Sequence, residues 1–328
     1  MCESNRYNGV LMAMPESAAA FLAEQVEHVR QLKRRRRIVF PEGKDARVVE
    51  AAARLRRDGL VEPILVGSDG APWREKYAAI YFERRRAKGI TSLEAAEISK
   101  RPLYQAALMV TAGDADGFVG GAVNTTSETV RASLQCIGVR PGVKTVSSVF
   151  ITAVRSRSFG QNGLLAFADC AIVINPSAVE LADIAIATAA STRTLLHAEP
   201  VVALLSFSTK GSAVDASVDK VREALRIVRE KAPELNIDGE LQADAALMLG
   251  IGQAKAPGST VAGRANTLIF PDLASGNIGV KLVERLGDGM AIGPILQGLA
   301  KPANDLSRGC SVDDIYTMAL VTALQAVE

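Results

Sequence analysis

The sequence predicts an α/β fold, and three observations lead to this prediction. Short apolar runs alternate with amphipathic segments along the whole chain. Several of the runs are apolar at consecutive positions, which is typical of parallel strands buried on both faces. The chain has 328 residues and 48% apolar residues, enough for one large or two ordinary domains with a sizeable core.

The expected strands are short apolar runs, each of which precedes a segment with helical periodicity. They cover residues 37–40, 63–66, 117–119, 146–151, 171–174, 201–206 and 267–270. A parallel sheet needs a crossover between successive strands, and the segments between these runs are long enough to form helices.

The helices are indicated by apolar periodicity and by capping residues. Residues 1–20 read as a loose arm, and a first helix is expected from about residue 18 to 32. The basic run 33–37 that follows is interpreted as a solvated helix end, because Lys and Arg favour helix C-termini. Thr91 and Glu94 form a capping box before a helix expected over residues 93–110.

Two further helices follow from their apolar stripes. Apolar residues recur at helical spacing at Val218, Val221, Leu225 and Val228. A last helix is expected over residues 313–326, directly after Gly309.

Composition excludes several classes of function. The net charge of +2 gives no global case for nucleic acid binding. The four cysteines, of which none forms a C-x-x-C pair, indicate neither a disulfide scaffold nor a zinc site, and free thiols fit a reducing cytoplasm. The sequence contains no run of 18 apolar residues, so no membrane span is expected. The N-terminus lacks the pattern of a signal peptide, so none is expected. Two histidines alone give little support for a Ser-His-Asp or Cys-His arrangement or for a metal site.

Residues 304–314 form the segment richest in candidate chemistry, because they lead directly into a helix. Unpaired N–H groups and the helix dipole make such a position a ready site for an anion. Ser307 adds a hydroxyl donor and Arg308 a bidentate cation. The alternative is a plain helix cap, formed by Ser311 with Asp314 three residues later.

Residues 120–131 combine a Gly-rich turn, a hydroxyl cluster and a helix start, which is a phosphate-cradling design without a Walker motif. Thr125 also reads as a helix cap closed by Glu128, and the two roles are compatible. Residues 206–212 follow a strand with hydroxyls, a Lys and a Gly, and read either as a ligand site or as a polar loop. Residues 256–279 contain two Gly/Pro-rich loops around one strand.

These segments, in this order, resemble the phosphate acetyltransferase (phosphotransacetylase) family within the phosphate acetyl/butyryltransferases. The matching stretches are residues 40–43, 122–135, 204–212, 237–242, 255–281 and 293–314, so the resemblance covers nearly everything from residue 37 onward. Three places depart from the family pattern. The chain is shorter between residues 67 and 77, Asn124 and Thr125 stand where His and Ser are usual, and residues 155–163 match poorly.

The resemblance implies a two-domain α/β/α fold like that of isocitrate and isopropylmalate dehydrogenases, with the active site in a cleft between the domains. The first domain would comprise residues 1–141 and 297–328, and the second, inserted domain residues 142–296. The family uses acetyl phosphate, coenzyme A and phosphate, with no tightly bound cofactor or metal, and allows stimulation by monovalent cations. A cytoplasmic homodimer is expected, with neither nucleic acid nor membrane as a partner.

Carried over by position, Asp314 resembles the base that takes the coenzyme A thiol proton. Ser307 resembles the hydroxyl that bonds the reacting group, and Arg308 the cation on phosphate and oxyanion. The expected substrate-binding residues are Arg131, Arg85, Arg285, Arg47, Thr126 and Ser127. Transfer would be direct, without an acyl-enzyme.

Three other functions compete with acetyl transfer. One is transfer of propionyl or butyryl groups by a related enzyme. Another is a non-catalytic sensor of coenzyme A or acetyl phosphate, against which the Ser307, Arg308 and Asp314 set argues. The third is nucleic acid binding through the basic run, which predicts steeply salt-dependent retention on DNA.

Overall fold

The structure is a computed structural model that describes residues 6–7, 10–11, 14–67 and 71–326, the first four as backbone only. Along the chain, the strands are β1 (Arg6–Tyr7), β2 (Val10–Leu11), β3 (Arg36–Phe40), β4 (Val61–Leu65), β5 (Gly117–Gly120), β6 (Ser147–Ala153), β7 (Leu164–Ala168), β8 (Val202–Leu205), β9 (Ile237–Leu241), β10 (Thr267–Ile269), β11 (Met290–Gln297) and β12 (Ala303–Asp305). The helices are α1 (Glu16–Arg30), α2 (Ala46–Arg57), α3 (Glu75–Arg85), α4 (Ser92–Ser99), α5 (Pro102–Thr111), α6 (Thr126–Cys136), α7 (Ala178–Leu196), α8 (Ala216–Lys231), α9 (Ala243–Leu247), α10 (Leu249–Lys255), α11 (Leu273–Leu286) and α12 (Val312–Gln325).

The chain divides into two compact units. The terminal unit comprises Ala23–Gly142 and Leu299–Glu328, and the inserted unit comprises Val143–Gly298 with Met1–Leu22. Each unit has its own main sheet, so the predicted α/β class is confirmed. No helix in the described parts of the chain has the length and hydropathy that a bilayer crossing needs.

The terminal unit is built on a parallel four-stranded sheet in the order β12-β5-β3-β4. Its strands are buried, with Ile38, Phe40 and Phe118 fully enclosed, and α2 and α12 pack against the sheet. Because all four strands run in one direction, the segments that follow β3, β5 and β12 leave from the same edge. This is the edge at which α/β sheets bind ligands.

The inserted unit has a six-stranded sheet in the order β11-β6-β7-β10-β8-β9. The four strands β7, β10, β8 and β9 pair in parallel. Strand β6 pairs antiparallel with both of its neighbours, β7 and β11. The predicted parallel pairing is confirmed for the expected strands β8 and β10, whereas the expected strand β6 pairs antiparallel and β7 was not among the expected strands. The core beside this sheet includes Leu165, Phe167, Leu241 and Leu268.

The strand expected at residues 171–174 is wrong. The backbone N–H groups of Ala171, Ile172 and Val173 donate to the carboxylate of Asp169, at 2.9, 3.2 and 2.8 Å, so a neighbouring strand cannot use them. The strand of this region is β7, which ends just before Asp169. The apolar run therefore marks a turn that a carboxylate holds together.

The helix expected over residues 93–110 is in fact two helices. Its predicted capping box is confirmed, since Thr91 and Glu94 exchange both hydrogen bonds at the start of α4. The chain breaks at Arg101, and Pro102 then occupies the first position of α5. Proline is tolerated there because its ring fixes φ and its missing N–H would have no partner.

Two residues of the basic run 33–37 form ion pairs where the chain enters the terminal unit's sheet. Arg34 and Arg37 both bind Asp116, with Nη–Oδ distances of 2.7 and 3.0 Å, and anchor the entry into β3. These ion pairs lower the pKa of Asp116 against the opposing effect of its burial. The first long helix, α1, begins at Glu16, within the stretch expected to be a loose arm, and residues 1–5 of that arm lie outside the described residues.

Candidate active site

Three segments meet at the carboxyl edge of the terminal unit's sheet. They are the β3–α2 loop (residues 41–45), the Gly-rich turn after β5 (residues 121–125) and the Ser-Arg turn after β12 (residues 306–310). Leu306 donates its backbone N–H to the carbonyl of Gly120 at 2.7 Å, which joins the last two. The parallel order of β3, β5 and β12 is what brings them together.

Glu42 occupies the Gly-rich turn with its carboxylate. Oε1 accepts hydrogen bonds from the backbone N–H groups of Gly121, Val123 and Asn124 at 2.9, 3.2 and 3.2 Å, and Oε2 accepts one from Ala122 at 3.3 Å. The side chain of Asn124 adds a fifth bond at 2.7 Å. An internal anion thus uses these amides in the structure, and the expected cradling of a phosphate by this turn stays a prediction.

Arg47 uses all five of its side-chain N–H donors on the protein. Nε and Nη2 bind the two carboxylate oxygens of Asp45 at 3.0 and 2.9 Å, and Nη2 also binds the carbonyl of Ala122 at 2.9 Å. Nη1 binds the carbonyls of Arg308 and Cys310, both at 2.9 Å. Since the guanidinium group has only five donors, a contact of Arg47 with coenzyme A or phosphate would have to replace one of these bonds, and that contact stays a prediction.

Thr126 donates its hydroxyl to Oδ2 of Asp305 at 2.5 Å, and its expected role in substrate binding stays a prediction. Asp305 is fully buried, and its other oxygen, Oδ1, has no hydrogen-bond partner among the described residues. Burial raises the pKa of Asp305 to about 6, and the nearby charge of Glu42 adds to this rise. Ser127 is exposed, and its role in substrate binding stays a prediction.

The Ser-Arg turn presents Ser307 and Arg308 to solvent just before α12. The Ser307 hydroxyl oxygen accepts the N–H of Gly309 at 3.3 Å, which closes the turn. The capping arrangement of Ser311 and Asp314 is confirmed, because Oδ2 of Asp314 accepts both the N–H and the hydroxyl of Ser311 at 2.8 Å. Asp314 is half-buried in the first turn of α12.

Beside the Gly-rich turn lies a cavity of about 510 Å³. Its cationic lining includes Lys44, Arg101 and Arg131, with Tyr104 in the wall. Burial raises the pKa of Tyr104, and the charges of Arg101, Arg131 and Arg85 oppose this rise. Of the expected site residues, Arg131 lines this cavity, together with Arg101 and Lys44, which the sequence did not indicate, whereas Arg85 is not part of the lining.

Arg131 is linked electrostatically to the Ser-Arg turn through Glu128. Hydrogen bonds from Thr125 lower the pKa of Glu128, and the charges of Arg131 and Arg308 contribute in the same direction. The cap at Thr125 and Glu128 is complete, with both reciprocal hydrogen bonds. The charges of Arg131 and Arg308 therefore both act on an acidic residue at the start of α6.

In the inserted unit, the other candidate segments bind internal carboxylates. Ser208 donates to Glu240 at 2.9 Å, and Lys210 and Ser259 bind Asp238 at 2.5 and 2.6 Å. Residues 206–212 therefore behave as a polar loop with its own partners. Arg285 lies in the last turn of α11 and is exposed, and its substrate contact stays a prediction.

The described cysteines are buried free thiols. Burial raises the pKa of Cys310 to about 11, although the charge of Arg47 opposes the shift. Burial likewise raises the pKa of Cys136 to about 12. A thiol must lose its proton to act as a nucleophile, so Cys310 is poorly suited to covalent catalysis despite its position beside Arg308.

With this geometry established, comparison with known proteins identifies the family. Residues 20–323 match the model of the phosphate acetyl/butaryl transferases. The chain belongs to the phosphate acetyl/butaryl transferase family.

Several proteins named phosphate acetyltransferase or phosphotransacetylase resemble the chain over most of its length. A phosphate acetyltransferase of Paracoccus denitrificans is 50% identical over 301 residues, covering 88% of this chain and 95% of that protein. One of Acetivibrio thermocellus is 45% identical over 310 residues, covering 88% and 93%. The crystal structure of a phosphotransacetylase from Streptococcus pyogenes has a TM-score of 0.87 at 44% identity, covering 94% of this chain and 99% of that chain.

Proposed function

We propose that the chain is a phosphate acetyltransferase, which transfers an acetyl group reversibly between acetyl phosphate and coenzyme A. The observation that carries the proposal is the exposed Ser-Arg turn at the start of α12, whose Arg308 acts electrostatically on Glu128 in the lining of the cavity of the same unit. Relatives at 45–50% identity that are named phosphate acetyltransferases support it. Coenzyme A acts here as a substrate rather than as a bound cofactor.

In the proposed reaction, Asp314 takes the thiol proton and the sulfur attacks the carbonyl carbon of acetyl phosphate. The new C–S bond replaces the C–O bond, and phosphate leaves with the electron pair of that bond. Ordinary pKa values are about 8.5 for a thiol and about 3.9 for an aspartate. Moving the proton from the thiol to the aspartate therefore costs roughly 6 kcal/mol, at about 1.4 kcal/mol per pKa unit. Nearby guanidinium groups lower this cost by stabilising the thiolate.

Ser307 and Arg308 stabilise the charges that develop during transfer. The hydroxyl of Ser307 donates to the reacting group, and the planar guanidinium of Arg308 binds two oxygens of the departing phosphate. Arg131 and Arg85, close to Tyr104, supply further positive charge for the anionic substrates. These roles follow from the resemblance, and from the exposure of Ser307 and Arg308 on a turn whose backbone is fixed.

Several finer expectations stay predictions of the resemblance. They are the likeness to isocitrate and isopropylmalate dehydrogenases, the homodimer, stimulation by monovalent cations and a cytoplasmic location. Size-exclusion chromatography with light scattering tests the dimer, and assays in potassium, sodium and Tris buffers test the effect of cations.

A panel of acyl phosphates tests the proposed function. We expect the purified chain to form acetyl-CoA from acetyl phosphate and coenzyme A faster than it forms the propionyl and butyryl thioesters. One methylene is worth about 1–3 kcal/mol of discrimination, or roughly 5- to 150-fold in rate. A higher rate with butyryl phosphate would favour the longer-chain alternative, and coenzyme A binding without turnover would favour a sensor.

Asp314 has two roles in this proposal, and a pair of variants separates them. Asp314→Asn should lower kcat at least about 100-fold while KM changes little, because a proton acceptor is lost. Ser311→Ala removes the cap and costs about 1 kcal/mol of stability, but should keep most of the turnover. Equal kcat values for the two variants would show that Asp314 is only a cap.

A further inference from the structure

Arg47 connects three stretches that are far apart in sequence. From the start of α2, its guanidinium reaches the carbonyl of Ala122 in the Gly-rich turn and the carbonyls of Arg308 and Cys310 in the Ser-Arg turn. Asp45 accepts from two of its nitrogens and holds the group in plane. These five acceptors use the complete fork of donors that a guanidinium offers.

The same loop holds the Gly-rich turn from its other side. Glu42 accepts the amides of residues 121–124, and Arg47 binds the carbonyl of Ala122 between them. The turn is thus fixed through both its donors and one of its acceptors. The Ser-Arg turn, by contrast, exposes Ser307, Arg308 and Gly309, and its carbonyls on Arg47 tie it to α2.

We propose that Arg47 is a positioning residue for acyl transfer, a clamp that holds the Ser-Arg turn against the Gly-rich turn. The proposal rests on the proposed function, because the clamped turn carries Ser307 and Arg308. Arg47 then acts on the backbone of Arg308 while the Arg308 side chain faces solvent and substrate. A displacement of about 1 Å in such groups costs up to roughly 100-fold in rate.

A lysine cannot replace this clamp. An ammonium group has three donors and no planar fork, so it cannot satisfy Asp45 and three carbonyls together. Positive charge near the site is nevertheless retained in Arg47→Lys. A residue that attracts the substrate by charge would tolerate this change far better than one that sets backbone geometry.

Arg37→Lys provides the matched control. The side chain of Arg37 is 33% exposed, as is that of Arg47, and it likewise combines an aspartate with a backbone carbonyl, through Asp116 and Gly113. It lies at the opposite end of β3, in the same unit. The two variants therefore lose similar interactions at different distances from the Ser-Arg turn.

We expect Arg47→Lys to lower kcat about 10- to 100-fold while the Kd for coenzyme A, measured by calorimetry, changes less than about threefold. Arg37→Lys should leave both quantities within about threefold. A raised Kd with normal kcat in Arg47→Lys would overturn the clamp and restore a substrate contact. Equal losses in both variants would reduce Arg47 to a general stabilising residue.

Trypsin supplies a readout that does not require activity, and so separates failure of the clamp from failure of the proposed function. The bond after Arg308 lies in an exposed turn whose carbonyl Arg47 holds. Native Arg47→Lys should release the fragment beginning at Gly309 faster than the wild type and Arg37→Lys do, as followed by mass spectrometry. Unchanged cleavage would contradict the clamp even if the wild type transfers no acetyl group.

Asp45→Asn covers the case in which Arg47→Lys does not fold. Asparagine caps α2 as well as aspartate does, so the helix start is kept while the charged partner of Arg47 is lost. We expect a fall in kcat of about 3- to 10-fold and faster cleavage after Arg308. Wild-type values for both would reject the clamp.

Discussion

Two acidic residues at the candidate site differ in how the protein compensates their charge. Glu42 accepts hydrogen bonds from four backbone amides and one side chain, so its carboxylate is well solvated by the protein. Asp305 is fully buried; its Oδ2 accepts one hydrogen bond from Thr126, and its Oδ1 accepts none from the described residues. Its pKa of about 6 follows from this difference, with burial as the main cause.

Asp305→Asn should therefore change how stability depends on pH. The folded pKa lies above the unfolded value of 3.8, so the folded state binds the proton more tightly, and ionisation makes folding less favourable as pH rises from about 4 to 6. The penalty, present in full above pH 6, is about 3 kcal/mol at 1.4 per unit. Asparagine keeps an oxygen for Thr126 and cannot ionise.

Urea unfolding at pH 4, 5, 6 and 7 measures this effect. The stability of the variant relative to the wild type should rise across the window and then level off. A difference that does not vary with pH would mean that Asp305 ionises in the folded protein as readily as in the unfolded chain.

At the scale of single elements, the Gly-rich turn depends on one backbone conformation. Gly121 has φ +106°, in the region that favours glycine. An added Cβ would collide with Oδ1 of Asp305 and with the backbone of Leu306. The turn can therefore receive the Glu42 carboxylate and pack against β12 only when residue 121 has no side chain.

Gly121→Ala tests this requirement. We expect a loss of at least about 3 kcal/mol in the free energy of unfolding, since strain of 1–2 kcal/mol adds to the collision. Gly89→Ala is the control, because Gly89 has φ +83° but nothing within 4 Å of an added Cβ, and should cost about 1 kcal/mol. Chemical denaturation measures both, and equal losses would show that the collision is relieved by small shifts.

Elements with strong local signals were predictable, and those set by distant partners were not. The strands β3, β5 and β8 and the caps at Thr91 and Ser311 follow from apolar runs and capping residues. The strand β12 was not predicted, because Ala303–Asp305 is mostly polar. It forms through its pairing with β5. The role of Glu42 depends on amides about 80 positions away, although an acid directly after a strand was a usable signal.

The same limit applies to the candidate site. The exposed groups Ser307, Arg308 and Arg131 could be proposed from a motif, because their chemistry does not depend on internal partners. The internal partners of Arg47 and Thr126 could not be predicted, since a sequence does not show that the protein itself supplies their acceptors. The internal hydrogen bonds of these donors can be identified only in the folded structure, where the three segments at the sheet edge meet.

At the scale of the whole molecule, buried carboxylates stabilise each unit separately. In the terminal unit, Asp116 pairs with two arginines. In the inserted unit, Glu240 binds Arg222, Ser208 and the N–H of Gly211. Burial would raise the pKa of Glu240, but these partners outweigh it and lower the pKa to about 2.

Glu240→Gln should remove a part of the stability that is sensitive to acid. The folded pKa lies below the unfolded value of about 4.5, so the contribution is complete above that value and is lost as pH falls towards 2. We expect the variant to lose about 2 kcal/mol at pH 7, and this difference from the wild type to shrink at pH 3.

Unfolding followed by circular dichroism reports on both units, whereas the fluorescence of Trp73, the single tryptophan, reports on the terminal unit. The exposed Glu234→Gln serves as a control and should behave as the wild type at every pH. A constant difference between pH 7 and pH 3 would contradict the assigned charge of Glu240.

The carboxylate of Glu42 also affects which dissolved ions the protein can hold. Because the fold holds Glu42 against the Gly-rich turn within one chain, its effective concentration at those amides is in the millimolar range or above. Phosphate or sulfate in the surrounding solution must compete with this resident anion and is largely kept out. In the proposed site, oxyanions would therefore be recognised by guanidinium groups, which favour planar, bidentate contacts, and not by the amides of the Gly-rich turn.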